Sequence, residues 1–142
     1  MESMEYRGLN GSTGWHYGVP LTNKLGTYII TEANPHICTE YHYIEVCEFE
    51  VVKPETVTPY IGRKDKNGKK IYAGDIVSLN HRSFCDGCVE GEVYFNDVTM
   101  RFDLQNLTGS DFYYETKMPF YSFIQLELVE IIGNKFERKD KR

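Results

Sequence analysis

Cys85-Asp86-Gly87-Cys88 has the residue types and spacing for metal chemistry. A Cys-x2-Cys knuckle places two thiolates on one ion, and a tetrahedral zinc would draw two further ligands from Cys38, Cys47, His36, His42 or His81. The second pair does not match the first: Cys38 and Cys47 are nine apart, without knuckle spacing. A surface loop over residues 83–87 whose two thiols happen to be neighbours is the simpler reading. No cofactor is expected and no metal is favoured, Cys85 and Cys88 being the pair that would hold zinc if one were bound. A thioredoxin-type redox role would need the pair at the start of a helix that follows a strand, and no such helix is evident.

The other concentration of chemistry is charge. Arg63, Lys64, Lys66, Lys69 and Lys70 surround Asn67-Gly68, with only Asp65 opposing them. A basic hairpin tip can touch phosphates. A solvated turn also needs charge to stay soluble and unpaired at a sheet edge, and that is the simpler reading. Asp65-Lys66-Asn67-Gly68 brushes the EF-hand pattern but lacks its later ligands and flanking helices, which argues against calcium. Tyr113, Tyr114, Phe120, Tyr121 and Phe123 cluster in sequence; the phenylalanines read as core, leaving Tyr113 and Tyr114 as surface anchors for a base or a peptide. There is no Gly-rich phosphate loop and no nucleophile elbow, and His16, His36, His42 and His81 lie in four unrelated settings. Glu90 and Glu92 share a strand face without a marked partner or pocket. No enzyme is expected.

The elements that must carry these residues are strands. A chain of 142 residues fits one domain, or one small barrel with an extension packed on it. Hydrophobic residues at 41% supply enough apolar surface for an ordered globule, and 11 Tyr and 8 Phe lean it toward pleated surfaces. The net charge of −5 belongs to the N-terminal part. Residues 1–57 hold three cations against eight carboxylates, whereas residues 58–142 hold 13 of each sign. An acidic chain repels a polyanion at long range, which favours protein over nucleic-acid partners. No apolar run approaches the roughly 18 residues that span a bilayer, so no membrane partner is expected. Met1-Glu2-Ser3-Met4-Glu5 does not resemble a secretory signal, so a cytoplasmic protein with reduced cysteines is expected.

In chain order, apolar residues on either side of Asn10-Gly11-Ser12-Thr13-Gly14 predict a hairpin over residues 6–21, with Trp15 and Tyr17 on one face. Residues 27–31 form a β-branched run bounded by Gly26 and Asn34-Pro35. A strand is expected over residues 43–52, where the alternation is mixed rather than clean. Pro54 arrests it, with one helical turn after it. Asn67-Gly68 predicts a tight reversal, and Ala73-Gly74-Asp75 a turn delivering Ile76 and Val77 into a buried strand. Asn96-Asp97 predicts another hairpin, with Met100, Phe102 and Leu104 facing the core and Arg101 and Asp103 facing water. Residues 111–117 and 126–132 are the remaining strand candidates, and the charged end should fray.

Gly62-Arg63-Lys64-Asp65-Lys66-Asn67-Gly68-Lys69-Lys70-Ile71-Tyr72-Ala73-Gly74-Asp75-Ile76-Val77 resembles the signature of the YopX family, small proteins encoded by phages and prophages. There the segment reads roughly T-G-L-x-D-K-N-G-K-x-I-Y/F-E-G-D-I-V. Tyr6-Arg7-Gly8 with Trp15-His16-Tyr17-Gly18, then Val52-Lys53-Pro54-Glu55-Thr56-Val57, then Ile132-Gly133-Asn134 fall in the family's order and frame nearly the whole chain. The sequence departs at Pro59 and Ile61, where Gln and Thr are usual, at Arg63 for Leu, and at Ala73 for Glu. The resemblance implies an SH3-like β-barrel in the C-terminal part and a phage or prophage origin, and no established activity. The expectation is therefore a mainly β protein: an N-terminal β-rich extension over residues 1–57, an SH3-like barrel over 58–137 and a frayed tail over 138–142. Its expected role is a non-enzymatic protein-binding or adaptor module. Small β modules leave strand edges to pair, which admits a homo-oligomer. The alternative is a nucleic-acid-binding module using the basic turn.

Overall fold

The structure, a computed structural model, describes residues 5–80, 88–108, 117–119 and 129–137. It is mainly β, and its strands pair into two antiparallel sheets, neither closed into a barrel. No described helix is long and apolar enough to cross a membrane. The chain divides into two compact units, Met1–Pro59 and Tyr60–Arg142.

The first unit holds β1 (Tyr6–Asn10), β2 (Gly14–Asn23), β3 (Gly26–Ile37), β4 (His42–Val52), a 3-10 turn (Pro54–Thr56) and the opening of β5 (Thr58–Lys64). Its strands run β4-β3-β2-β1, with Thr58 and Pro59 paired to Arg7 and Tyr6 on the other side of β1. The expected hairpin over 6–21 forms because Asn10 closes it: its side-chain oxygen accepts the amides of Ser12 and Thr13 at 2.8 and 3.1 Å. Asn23 does the same for Leu25 and Gly26 between β2 and β3. Such Asx turns offer the backbone a partner just where the ladder ends.

The strand expected to stop at Asn34-Pro35 runs on to Ile37. Past Ile30, β3 has a ladder to β4 only, and a proline is tolerated where a strand has one free side. This unit buries Ile29 and Val52, on the side that Gly8 faces, and Leu9 in β1. Thr56 anchors the 3-10 turn to it, its hydroxyl accepting the Leu9 amide at 2.9 Å and donating to the Lys53 carbonyl at 2.6 Å. Because Thr56 is buried, Thr56→Val leaves both backbone groups without that partner. Urea denaturation of this variant should show a loss of about 1–3 kcal/mol; an unchanged midpoint would mean that the hydroxyl is dispensable.

The second unit holds the rest of β5, then β6 (Lys70–Tyr72), β7 (Asp75–Asn80), β8 (Cys88–Asn96), β9 (Arg101–Thr108), β10 (Lys117–Pro119) and β11 (Val129–Asn134). β5 pairs with β6, and the other five run β10-β9-β8-β7-β11, a meander whose last strand returns beside its first. Ile71, Val77, Val93, Leu104 and Val129 are almost wholly buried, with Tyr60 and Tyr72 beside them. The turn expected at Gly74-Asp75 is present: Gly74 takes a φ of +94°, and the buried Asp75 carboxylate accepts the Tyr72 amide at 2.8 Å. The barrel expected over 58–137 is not closed among the described strands.

Two finer expectations are corrected. Asp103, expected to face water, is buried, because Asn96 donates to it at 2.9 Å and Arg101 at 3.2 Å, which makes an inward carboxylate tenable. Met100, expected to face the core, is exposed at the hairpin turn with a φ of 59°. The expected strand over 111–117 lies outside the described residues except Lys117, as do Phe120, Tyr121 and Phe123 and the first part of the strand expected over 126–132.

Candidate functional site

The basic turn is held rigidly from within. Asp65, the one acid among the five cations, is buried, and it spends its carboxylate on the backbone. Its Oδ1 accepts the amides of Asn67 and Lys69, both at 2.9 Å, and its Oδ2 accepts the Ile131 amide at 3.1 Å. The Lys66 amide reaches the Val129 carbonyl at 2.9 Å, so the turn is tied to β11 twice. The ladder places Lys64 directly opposite Lys70, an unfavourable like-charge pair. Lys70 lies over the Tyr60 ring, 5.2 Å from its centroid, and Lys66 reaches Glu130 at 3.4 Å. Arg63, Lys64 and Lys69 are exposed and make no ion pair with a described residue. The five cations are thus brought together on one tip, with their only internal acid withdrawn from the surface.

A second surface was not anticipated. β2 pairs with β3 only through Val19–Asn23, so past Ile30 the β3-β4 hairpin leaves the sheet as a two-stranded arm. Two bulges sit at its base: Thr31 is unpaired in β3 and Cys47 in β4, the second restoring the register that the first shifts. A bulge bends a strand and moves the following side chains to the other face. This is why the alternation over 43–52 reads as mixed. With the bulge counted, Val46, Phe49 and Val51 join Ile44 on one face, beside Ile37 of β3 and Val19 and Leu21 of β2. These seven side chains are between 43% and 81% exposed. Glu32, Glu45, Glu48 and Glu50 all fall on the opposite face, where His36 stacks on Tyr43 at 4.6 Å and meets Glu45 at 2.9 Å. Toward the root that opposite face becomes core, through Ile29 and Val52.

The thiols offer less. Cys38 and Cys47 are free and exposed on the arm. Desolvation by its neighbours, then the carboxylates of Glu45 and Glu32, push the Cys47 thiol above its ordinary value, against a lowering contact from Asn34. A thiol held protonated is a poor nucleophile. Among the described residues no group of three or more His, Cys, Asp or Glu could hold a metal ion. Cys85 lies outside the described residues, and of Cys88 only the backbone, at the start of β8, is described. Tyr113 and Tyr114 lie outside them too.

The family motifs sit on β1, the start of β2, the 3-10 turn, β5 to β7 and β11. Arg7 is buried with its guanidinium 4.3 Å from the centre of the Trp15 ring. The family model described as YopX protein matches residues 5–139, nearly the whole chain. This chain belongs to the YopX family. Among solved structures, protein EF1440 from Enterococcus faecalis is similar, at 19% identity and a TM-score of 0.54, over 94% of each chain. That likeness shows that the fold is shared. No curated protein matches the chain.

Proposed function

We propose that this YopX family chain is a non-enzymatic protein-binding or adaptor module, working in the cytoplasm in the phage or prophage setting that the family resemblance implies. The observation that carries the reading is the uncharged, exposed apolar face of the β2-β3-β4 sheet and its arm. Contiguous apolar patches of this kind mark interaction surfaces, whereas single exposed apolar residues do not. An SH3-like arrangement of residues 58–137 belongs to the same reading. It is supported by the β7-β8-β9-β10 meander with β11 returning beside β7.

A second reading has its own observation. The turn presents Lys64 opposite Lys70, with Arg63 and Lys69 unpaired among the described residues, and an anion would relieve that repulsion. Nucleic-acid binding through Arg63, Lys64, Lys66, Lys69 and Lys70 is that alternative.

One experiment separates them. The tagged chain is purified from its host at low salt as wild type, as Ile44→Glu with Phe49→Glu on the arm, and as Arg63→Glu with Lys69→Glu on the turn. The protein-binding reading expects a protein partner in fixed ratio, lost from the arm variant and kept by the turn variant. Bound nucleic acid that is released by salt and lost from the turn variant overturns it in favour of the second reading.

A further inference from the structure

We infer that the apolar face of the β2-β3-β4 sheet is the seat of a second copy of this chain, packed face to face about a two-fold axis. The inference rests on the protein-binding reading above and names its partner.

The first argument is area. The exposed surface of Val19, Leu21, Ile37, Ile44, Phe49 and Val51, with Val46 between them, amounts to roughly 700 Å² per copy, near the ~800 Å² that each side of a standard interface contributes. A smaller patch would fit a peptide or a transient contact.

The second is charge. The chain carries −5, so two copies repel wherever their acids meet. The register turns Glu32, Glu45, Glu48 and Glu50 to the other side of the sheet, and no Asp, Glu, Lys or Arg of β2, β3 or β4 stands on this face, the nearest cation on that side being the buried Arg7 of β1, opposite Tyr17. Two copies can therefore approach here without bringing like charges together. The free edge of β4 lacks that property. Pairing it antiparallel with its own image would bring the Glu45, Glu48 and Glu50 rows of the two copies onto one shared face, which opposes strand addition. The copies meet by face and not by edge.

The third is the arm itself. A two-stranded ribbon in water is marginal on its own, and this one extends past the sheet with apolar side chains on one face. Face-to-face packing of two such sheets, about 10 Å apart, makes the core of a β-sandwich from two half-cores. Each copy already buries the opposite face at the root through Ile29 and Val52, so one further layer completes it.

The test is sedimentation of the purified full-length chain over about a hundredfold range of concentration. The wild type is expected to have twice the 16.5 kDa mass of the chain. Ile44→Glu with Phe49→Glu is expected to raise the dissociation constant by about a hundredfold or more, since two charges would enter a dry contact. Both sites are exposed in the single chain, so the variant should keep its circular dichroism spectrum. As a readout that needs no variant, the wild-type melting temperature should rise with concentration. A wild type that stays monomeric, or a dimer that the arm variant leaves intact, overturns the inference. A monomer whose co-purifying protein is still lost with the arm variant overturns the second copy alone; a monomer whose partner survives that variant overturns the protein-binding reading as well.

Discussion

Asp65→Ala should lower the stability of the protein by about 3 kcal/mol or more, less than the straight sum of three charge-assisted hydrogen bonds at about 1.5–3 kcal/mol each, because water can replace part of them. The carboxylate accepts three backbone amides from two places in the chain: Asn67 and Lys69 within the turn, and Ile131 in β11. Alanine leaves all three without that acceptor. The amides in the exposed turn can turn to water, while that of Ile131, in a half-buried stretch, is less able to. Asp65→Asn keeps one oxygen but presents an amide donor where the second oxygen was, so it should fall between wild type and alanine. Urea denaturation of the three proteins gives the order directly. A loss below about 1 kcal/mol for alanine would mean that the turn and its ties to β11 persist without the carboxylate. The same residue sets the geometry of the basic tip. Its neighbours Lys64, Lys66, Lys69 and Lys70 surround a turn that Asp65 holds shut, so the charge presented to solvent depends on a buried acid.

How much of this was legible follows from what local sequence can encode. Asn10-Gly11, Asn67-Gly68, Gly74-Asp75 and Asn96-Asp97 each announce a turn, because the side chains that close the turns lie within three or four residues of the amides they accept. The strands between them followed. Three things did not. The closure expected of a barrel depends on pairings between distant strands, which no window of sequence contains, and the described strands form open sheets. The inward Asp103 depends on Asn96 and Arg101 across a hairpin, so its charge alone placed it on the wet face. The arm was hidden by its bulges: one extra residue at Cys47 breaks a period-two pattern, and a continuous apolar face then reads as disorder in the alternation. A bulge placed at Cys47 would have sorted Glu45, Glu48 and Glu50 from Ile44, Val46, Phe49 and Val51. The motifs that carry the family resemblance proved to be largely structural. Arg7 packs on Trp15, Thr56 ties the 3-10 turn to β1, and Asp65 and Asp75 close turns. They specify the scaffold, while the apolar face lies on residues that the motifs do not include.

Gly18 is the motif residue on which the arm depends most, and Gly18→Ala should be the most damaging single methyl that can be added to this unit. Gly18 pairs with Tyr6 of β1 on one side, and on the other it stands where β2 parts from β3, one residue before the Val19–Ile30 pair that begins their ladder. A Cβ there would fall on the carbonyl oxygen of Ile30, far inside van der Waals contact, and 3.3 Å from Cγ2 of the buried Ile29. The obstacle is backbone, which cannot swing aside as a side chain tip would. Either β3 moves off β2, undoing the ladder at its first rung, or β2 moves off β3 and strains its pairing with β1. Forced overpacking costs about 1–3 kcal/mol where side chains can adjust, and occasionally more. Here a loss of about 3 kcal/mol or more is expected, measured by urea denaturation, with the Thr31 bulge that launches the arm displaced alongside. In Gly18→Ala the proposed self-association should weaken together with the fold, unlike in Ile44→Glu with Phe49→Glu, where association should be lost and the fold kept. If Gly18→Ala proved as stable as wild type, the close approach of β2 to β3 at the root of the arm would be wrong, and the face built on that register would have to be redrawn.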